Sequence, residues 1–156
     1  MSHIPNQIHQ TWNSALLPEQ GGTLHAVFHV ATDGMLLEAR NAERVALAVT
    51  VSRGSLVVEA PEDHIVLDVE DTYGVQFGGV HDLHITFGDF GTRIYLDGYQ
   101  AFACATNICP SKYAQTGVFH CANEAHIGVE RLECFPEAWT SERIQGSVPE
   151  IGRAHV

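Results

Sequence analysis

The chain has 156 residues, 45% of them hydrophobic, and a formal net charge of -11. This length and apolar content suit one domain with a substantial core and exclude a disordered tail. Only eight basic residues are present and just one, Lys112, is a lysine, so the clustered cations that nucleic-acid phosphates require are missing. The best apolar run, Val45 to Val51, is far shorter than the roughly 20 residues needed to span a bilayer. Met1 to Gln10 shows no basic start followed by an apolar run, so no signal peptide is recognised. The chain therefore reads as cytosolic, or as the mature or excised part of an exported protein.

Taken in order, residues 1–19 read as an irregular lead-in, with one short strand at Gln7 to Thr11. Gly21-Gly22 opens the first convincing strand, Thr23 to Val30, with Leu24, Ala26, Phe28 and Val30 on one face and His25, Val27 and His29 on the other. Turns at Thr32-Asp33-Gly34, Asn41-Ala42-Glu43, Ser52-Arg53-Gly54-Ser55 and Pro61-Glu62-Asp63 separate strands at Met35 to Arg40, Arg44 to Val51, Leu56 to Ala60 and His64 to Val69. Glu70 to Gly79 is loop-rich.

The stretch His81 to Gln100 then predicts a hairpin. Leu83, Ile85 and Phe87 alternate with polar residues, a glycine-bearing interruption follows, and Ile94 and Leu96 resume the alternation. Pairing Phe87 with Ile94 and Ile85 with Leu96 puts one face inward and leaves Asp89 to Thr92 as the turn. That register sets Thr86 opposite Tyr95 and His84 opposite Asp97, and makes Arg93 and Tyr95 part of an outer ladder. Asp97-Gly98 signals the next turn. A long connection is expected from Ala101 to Asn123, then a strand from Ala125 to Glu130 or on to Leu132, and a short helix at Thr140 to Ile144 capped by Thr140. Eight or more short strands with almost no helical periodicity imply an all-β antiparallel sandwich or barrel in one domain.

Four cysteines, Cys104, Cys109, Cys121 and Cys134, fall in the last third. Cys104 and Cys109 bracket a candidate loop tip and are the first choice for a disulfide; small buried residues with free thiols are the alternative. A zinc site drawn from the cysteines with His120 and His126 lacks the close Cys-x-x-Cys pairs of structural zinc motifs. His25, His29 and His84 fall at outward strand positions, where a solvated imidazole is expected.

Four stretches in order, GGTLHAVFHV, LLEARN, GVHDLHITFGDFGTRIYLDGYQAFA and AHIGVERLECFPEAWTSERI, resemble the concanavalin A-like lectin and glucanase superfamily. The likeness is to its laminin-G-like branch and to the lectin-like domains attached to bacterial sialidases. It rests on His81 to Phe87, Ile94 to Gly98, His126 to Gly128 and Phe135 to Ile144, and covers residues 20–147, leaving 148–156 as a tail or linker. The resemblance implies a two-sheet jelly-roll sandwich, an extracellular setting and a non-catalytic carbohydrate-binding role, with sialic acid as a candidate ligand and a larger sialidase or glycoside hydrolase as the parent protein. Glucanases of this architecture carry Glu-x-Asp-x-x-Glu on one strand, and no such motif occurs here; Asp68, Glu70 and Asp71 come nearest.

Relatives that recognise sialic acid hold its carboxylate with arginines, which points to Arg40 and Arg131, with Glu38 and Tyr99 contacting hydroxyls. Surface ion pairs with Glu38, Glu130 or Glu133 are the alternative for both arginines. No cofactor is expected. Calcium, which some relatives bind, would have Glu62-Asp63 or Glu70-Asp71 to use, and neither has the spacing of a calcium loop. Two other readings follow from the same architecture: a laminin-G-like protein-interaction module, marked by a flat patch at Tyr95, Tyr99 and Phe102, and a small glycan-processing hydrolase, marked by two carboxylates facing across a groove.

Overall fold

A computed structural model describes residues 7–42, 44–70 and 77–148, and for residues 7–9 the backbone alone. Alternating burial follows from alternating sequence, and it yields eleven strands: β1 (Gln7–Asn13), β2 (Gly21–Val30), β3 (Gly34–Asn41), β4 (Arg44–Ser52), β5 (Ser55–Ala60), β6 (Asp63–Asp68), β7 (Gly79–Gly88), β8 (Gly91–Leu96), β9 (Tyr99–Cys104), β10 (Thr116–Ala122) and β11 (Ile127–Phe135). They form two antiparallel sheets, one of six strands in the order β1-β10-β3-β4-β5-β6 and one of five in the order β11-β2-β7-β8-β9. The inward rows of both, among them Leu24, Phe28, Leu47, Val49, Leu56, Val58, Ile85, Phe87, Ile94 and Phe119, make a single core between the sheets. Among the described residues, a 3-10 turn spans Pro110–Lys112 and a helix, α1 (Ser141–Ser147), follows β11. Thr140 caps α1, its side-chain oxygen accepting from Arg143 N at 3.3 Å.

The all-β sandwich matches the expected class, with three local corrections. The strand foreseen near the start runs from Gln7 to Asn13 and pairs with β10, and Trp12 and Leu17 behind it are fully buried, so this part of the lead-in is sheet and core. The connection expected from Ala101 to Asn123 contains most of β9 and all of β10, the latter seated between β1 and β3. The hairpin register is shifted by two: Phe87 pairs with Thr92, Ile85 with Ile94 and Leu83 with Leu96, which sets His84 opposite Tyr95 and leaves only Asp89-Phe90 as the turn. A shift of two keeps every side chain on its face, so the face assignment survives while the partners change. The tighter turn is possible because Gly88 and Gly91 close the ladder, with Gly91 at a φ of 112°.

All four cysteines are free. The expected Cys104–Cys109 bridge does not form because the two thiols turn to different acceptors, Cys104 to Thr106 O at 3.4 Å and Cys109 to Leu17 O at 3.5 Å. Burial pushes the Cys109 thiol up to about 11 and those of Cys121 and Cys134 up to about 12, well away from the thiolate state that reacts. Treating the folded protein with an aromatic disulfide at about pH 8 should leave these three unmodified, whereas unfolding without reductant should expose four titratable thiols. Recovery of only two after unfolding would restore the disulfide.

Candidate functional site

The outer faces of the two sheets differ. On the six-stranded sheet, cross-strand pairing lines up His120, Glu38, Ala48, Glu59 and His64 in one row, with Thr50, Val57 and Val66 beside it. Ala48 and Thr50 make a low floor at the centre, and Glu59, His64 and Val66 are exposed. Arg40, two residues along β3 from Glu38 and 40% exposed, donates to the Glu38 carboxylate at 3.1 Å. All of these side chains are half-buried or exposed.

The outer face of the five-stranded sheet carries a second polar row, and it is covered. Glu133, His25, His84 and Tyr95 are successive cross-strand partners on β11, β2, β7 and β8, and Asp82 lies two residues before His84 on the same face. The segment after β11 folds back over them. Trp139 N donates to Thr23 Oγ1 at 2.9 Å, and that hydroxyl donates to Glu137 O at 2.8 Å, stapling the cover to β2. The Trp139 ring lies 5.7 Å from His84 and 4.4 Å from Phe135, and the Arg143 guanidinium sits 4.1 Å from the centre of the same ring. Tyr95 Oη meets Ser141 Oγ at 3.0 Å, and Ile144 of α1 is fully buried.

Under this cover lies a buried cluster. His25 Nε2 donates to Asp82 Oδ1 at 2.9 Å, and His25 Nδ1 meets Glu133 Oε1 at 3.2 Å. The His25 and His84 rings stack at 4.1 Å, 9° from parallel. His84 Nδ1 is 3.1 Å from the same Asp82 oxygen but off line for a hydrogen bond, and neither ring nitrogen of this fully buried residue has a hydrogen-bond partner. Charges sort accordingly. Burial alone pushes the Asp82 carboxyl up, but the two imidazoles beside it outweigh that and hold it at about 2. Burial disfavours the imidazolium of His25, yet Asp82 and then Glu133 raise its pKa above the ordinary value. For His84, burial outweighs the opposing pull of Asp82 and the His25 imidazolium alongside adds to it, so its pKa is lowered.

The histidine expectation is therefore corrected. His25 and His84 point away from the core as their spacing requires, but the C-terminal segment removes them from water. His29 stays partly exposed, with Nδ1 on Glu130 at 2.9 Å and Nε2 on Glu124 O at 2.8 Å. Asp82 and Trp139 belong to this cluster without any role expected from the sequence, and Glu133 was expected there only as an ion-pair partner for an arginine, which it is for Arg131. The available signal was Asp82-Leu83-His84, two metal-capable side chains at strand spacing beside His25.

Of the four residues singled out for ligand contact, the structure brings only Arg40 and Glu38 together. Arg131 is on β11, 64% exposed and paired with Glu133 at 3.2 Å. Tyr99 begins β9 at the opposite edge of the same sheet. It is 51% exposed and lines an open cleft of about 340 Å³ with Asp97, Gly98, Glu142, Gln145 and Gly146. Two carboxylates and no cation line that cleft, so it repels an anionic sugar. It does place Asp97 near Glu142, but both Asp97 oxygens are engaged, Oδ2 by His81 Nδ1 at 2.8 Å and Oδ1 by Asp82 N at 2.9 Å. The flat patch at Tyr95, Tyr99 and Phe102 does not assemble, because Tyr95 is buried beneath α1. Of the calcium candidates, Asp71 lies outside the described residues, and Glu70 accepts from Phe77 N at 3.3 Å. Among the described residues, His25, Asp82 and His84 are the one group of three metal-capable side chains brought within reach of a single ion.

No protein-family model matches the chain, and no curated protein matches its sequence. Solved structures do. A botulinum neurotoxin type C structure, described in connection with cell entry through two ganglioside molecules, superposes with a TM-score of 0.62 at 9% identity over 89% of this chain and 38% of that one. The sialidase of Trypanosoma rangeli in complex with sialic acid gives 0.58 at 11% identity over 92% and 27%. The galectin LEC-6 of Caenorhabditis elegans gives 0.57 at 13% identity over 83% and 95%. The chain thus spans well under half of the toxin and sialidase chains and nearly all of the galectin. At these identities the likeness establishes the fold, which is the concanavalin A-like lectin sandwich.

Proposed function

We propose that this chain is a non-catalytic carbohydrate-binding module that takes a glycan across the outer face of its six-stranded sheet. The observation that carries this reading is the contrast between the faces: the five-stranded sheet is closed by the C-terminal segment, while the other presents a half-buried to exposed polar row around Glu38, Arg40 and His120. Carboxylate, guanidinium and imidazole edges on a flat floor suit sugar hydroxyls, and Arg40 supplies the cation a sialic-acid carboxylate needs. To take that carboxylate, Arg40 exchanges its bond to Glu38, and Glu38 is freed to accept a hydroxyl. The similarity to a sialidase that spans only 27% of the longer chain supports a further reading, in which this module accompanies a glycan-acting enzyme in a secreted protein.

Calorimetric titration with sialyllactose and with lactose tests this directly. Sialyllactose should bind with the higher affinity, and Arg40→Ala should weaken it roughly tenfold or more, the effect of losing one charge-assisted hydrogen bond of about 1.5–3 kcal/mol. Equal affinity for the two sugars would remove the sialic-acid assignment and keep the lectin. Binding of neither at millimolar concentration would remove both.

A further inference from the structure

We propose that His25, Asp82 and His84 form a binding site for a divalent first-row transition ion such as zinc, enclosed beneath the C-terminal cover and separate from the glycan face. Two imidazoles and one carboxylate are a donor set such ions favour, and calcium and magnesium do not. Asp82 Oδ1 lies 2.9 Å from His25 Nε2 and 3.1 Å from His84 Nδ1, and all three donor atoms fall within 4.8 Å of one another. A tetrahedral zinc with bonds of about 2.05 Å sets its ligand atoms roughly 3.3 Å apart, so the protein already holds the donors near the required spacing.

Two independent features point to an ion. His84 is fully buried, its Nε2 has no hydrogen-bond partner and its Nδ1 has only the poorly aligned Asp82 oxygen at 3.1 Å, an arrangement that costs free energy until an ion takes the Nδ1 lone pair. His25 has its other nitrogen, Nδ1, against the Glu133 carboxylate at 3.2 Å, and Arg131 in turn holds Glu133 at 3.2 Å. A carboxylate behind an imidazole in this way fixes the tautomer and the ring angle of a metal-ligating histidine. On binding, His25 releases its Nε2 proton and keeps the Nδ1 proton on Glu133, and the two rings splay from their 9° stack so that both lone pairs face the ion. Trp139 and Phe135 roof the site and keep out bulk water, and the fourth tetrahedral position, which three protein donors leave open, is filled by a single enclosed water. The role that follows is to fasten β2 and β7 beneath the cover.

The full chain, reduced and freed of metal with a chelator, should bind one equivalent of zinc in calorimetry with a micromolar or tighter dissociation constant, and its melting temperature should rise. Cobalt should give visible bands of a nitrogen- and oxygen-ligated ion without a thiolate charge-transfer band. His84→Phe, which keeps the bulk under Trp139, should weaken zinc binding by tenfold or more, and His126→Ala should leave it unchanged. No stoichiometric binding, unchanged affinity in His84→Phe, or a thiolate band would overturn the proposal. If His84→Phe does not fold, cobalt broadening in the wild-type protein decides: loss of the His25 and His84 ring resonances supports the site, and broadening confined to other histidines refutes it.

Discussion

Gly91→Ala should destabilise this domain by about 3 kcal/mol or more and lower its melting temperature by on the order of 10 °C. Gly91 ends the two-residue turn between β7 and β8 and adopts a φ of 112°, where an L side chain is strained. Space is the larger problem. A Cβ at this position would lie 2.0 Å from Cys104 O and 2.8 Å from the Ala105 Cα, both backbone atoms of the chain leaving β9. Backbone cannot rotate aside as a side chain can, so β9 must move off β8 and release the Thr92–Cys104 end of their ladder. Gly88, its partner across the turn, is a useful contrast: an added Cβ there meets first the Phe90 ring, at 2.6 Å, which is able to swing out. Gly146 on α1 has nothing within 4 Å, and Ala there should stabilise by about 0.5 kcal/mol through helix propensity. Thermal and urea unfolding of the three variants would check the order. A Gly91→Ala protein as stable as wild type would mean that the turn is not built as described.

The fold was legible because strand alternation encodes faces, and faces are what a sandwich needs. Leu83, Ile85, Phe87, Ile94 and Leu96 all lie inward as their spacing requires. The pairing was less legible, since registers two residues apart give identical faces; only the preference for a two-residue turn closed by Gly88 and Gly91 separates them. β10 falls inside the expected connection although Phe119 and Cys121 alternate with Val118 and His120, because nearby cysteines and Pro110 give the segment the composition of a stapled loop. The buried cluster was illegible for a different reason. Alternation says that His25 and His84 point away from the core, but not whether another layer lies there. That information sits more than fifty residues downstream, in Phe135, Trp139 and Ile144, whose apolar side chains have no face to occupy except the outside of the five-stranded sheet. The ligand residues divide similarly. Arg40 and Glu38 share one strand and stay together, whereas Arg131 and Tyr99 are separated by the three strands between β11 and β9.

The second large effect concerns acid. In chelator, with no ion bound, wild-type stability should fall steeply between about pH 4 and pH 2, and Asp82→Asn should remove much of that dependence while lowering stability at neutral pH by on the order of 2 kcal/mol. The sign follows from the shift. The folded-state pKa of Asp82 is about 2, below the ordinary carboxyl value of 3.8, so the folded protein releases this proton more readily than the unfolded chain. The stabilisation is fully present above the unfolded value and disappears as pH drops through the folded one. Its sources are His25, whose imidazolium the Asp82 carboxylate holds under cover, and after it His84. The amide introduced by Asp82→Asn keeps the shape but not the charge, and burial then disfavours the His25 imidazolium with only Glu133 to oppose it. The two histidines oppose one another near neutrality. The contribution of His25, with its raised pKa, is present below 6.5 and lost as pH climbs past its folded value, while that of His84, with its lowered pKa, is present above 6.5 and lost as pH falls toward its folded value. Wild-type stability should therefore vary little around pH 6.5, and the acid limb should dominate the profile. Urea midpoints at half-unit pH steps for wild type and Asp82→Asn would decide it: parallel curves from pH 6 down to pH 2 would show that Asp82 is not charged within the fold, and that the cluster beneath Trp139 is held by packing alone.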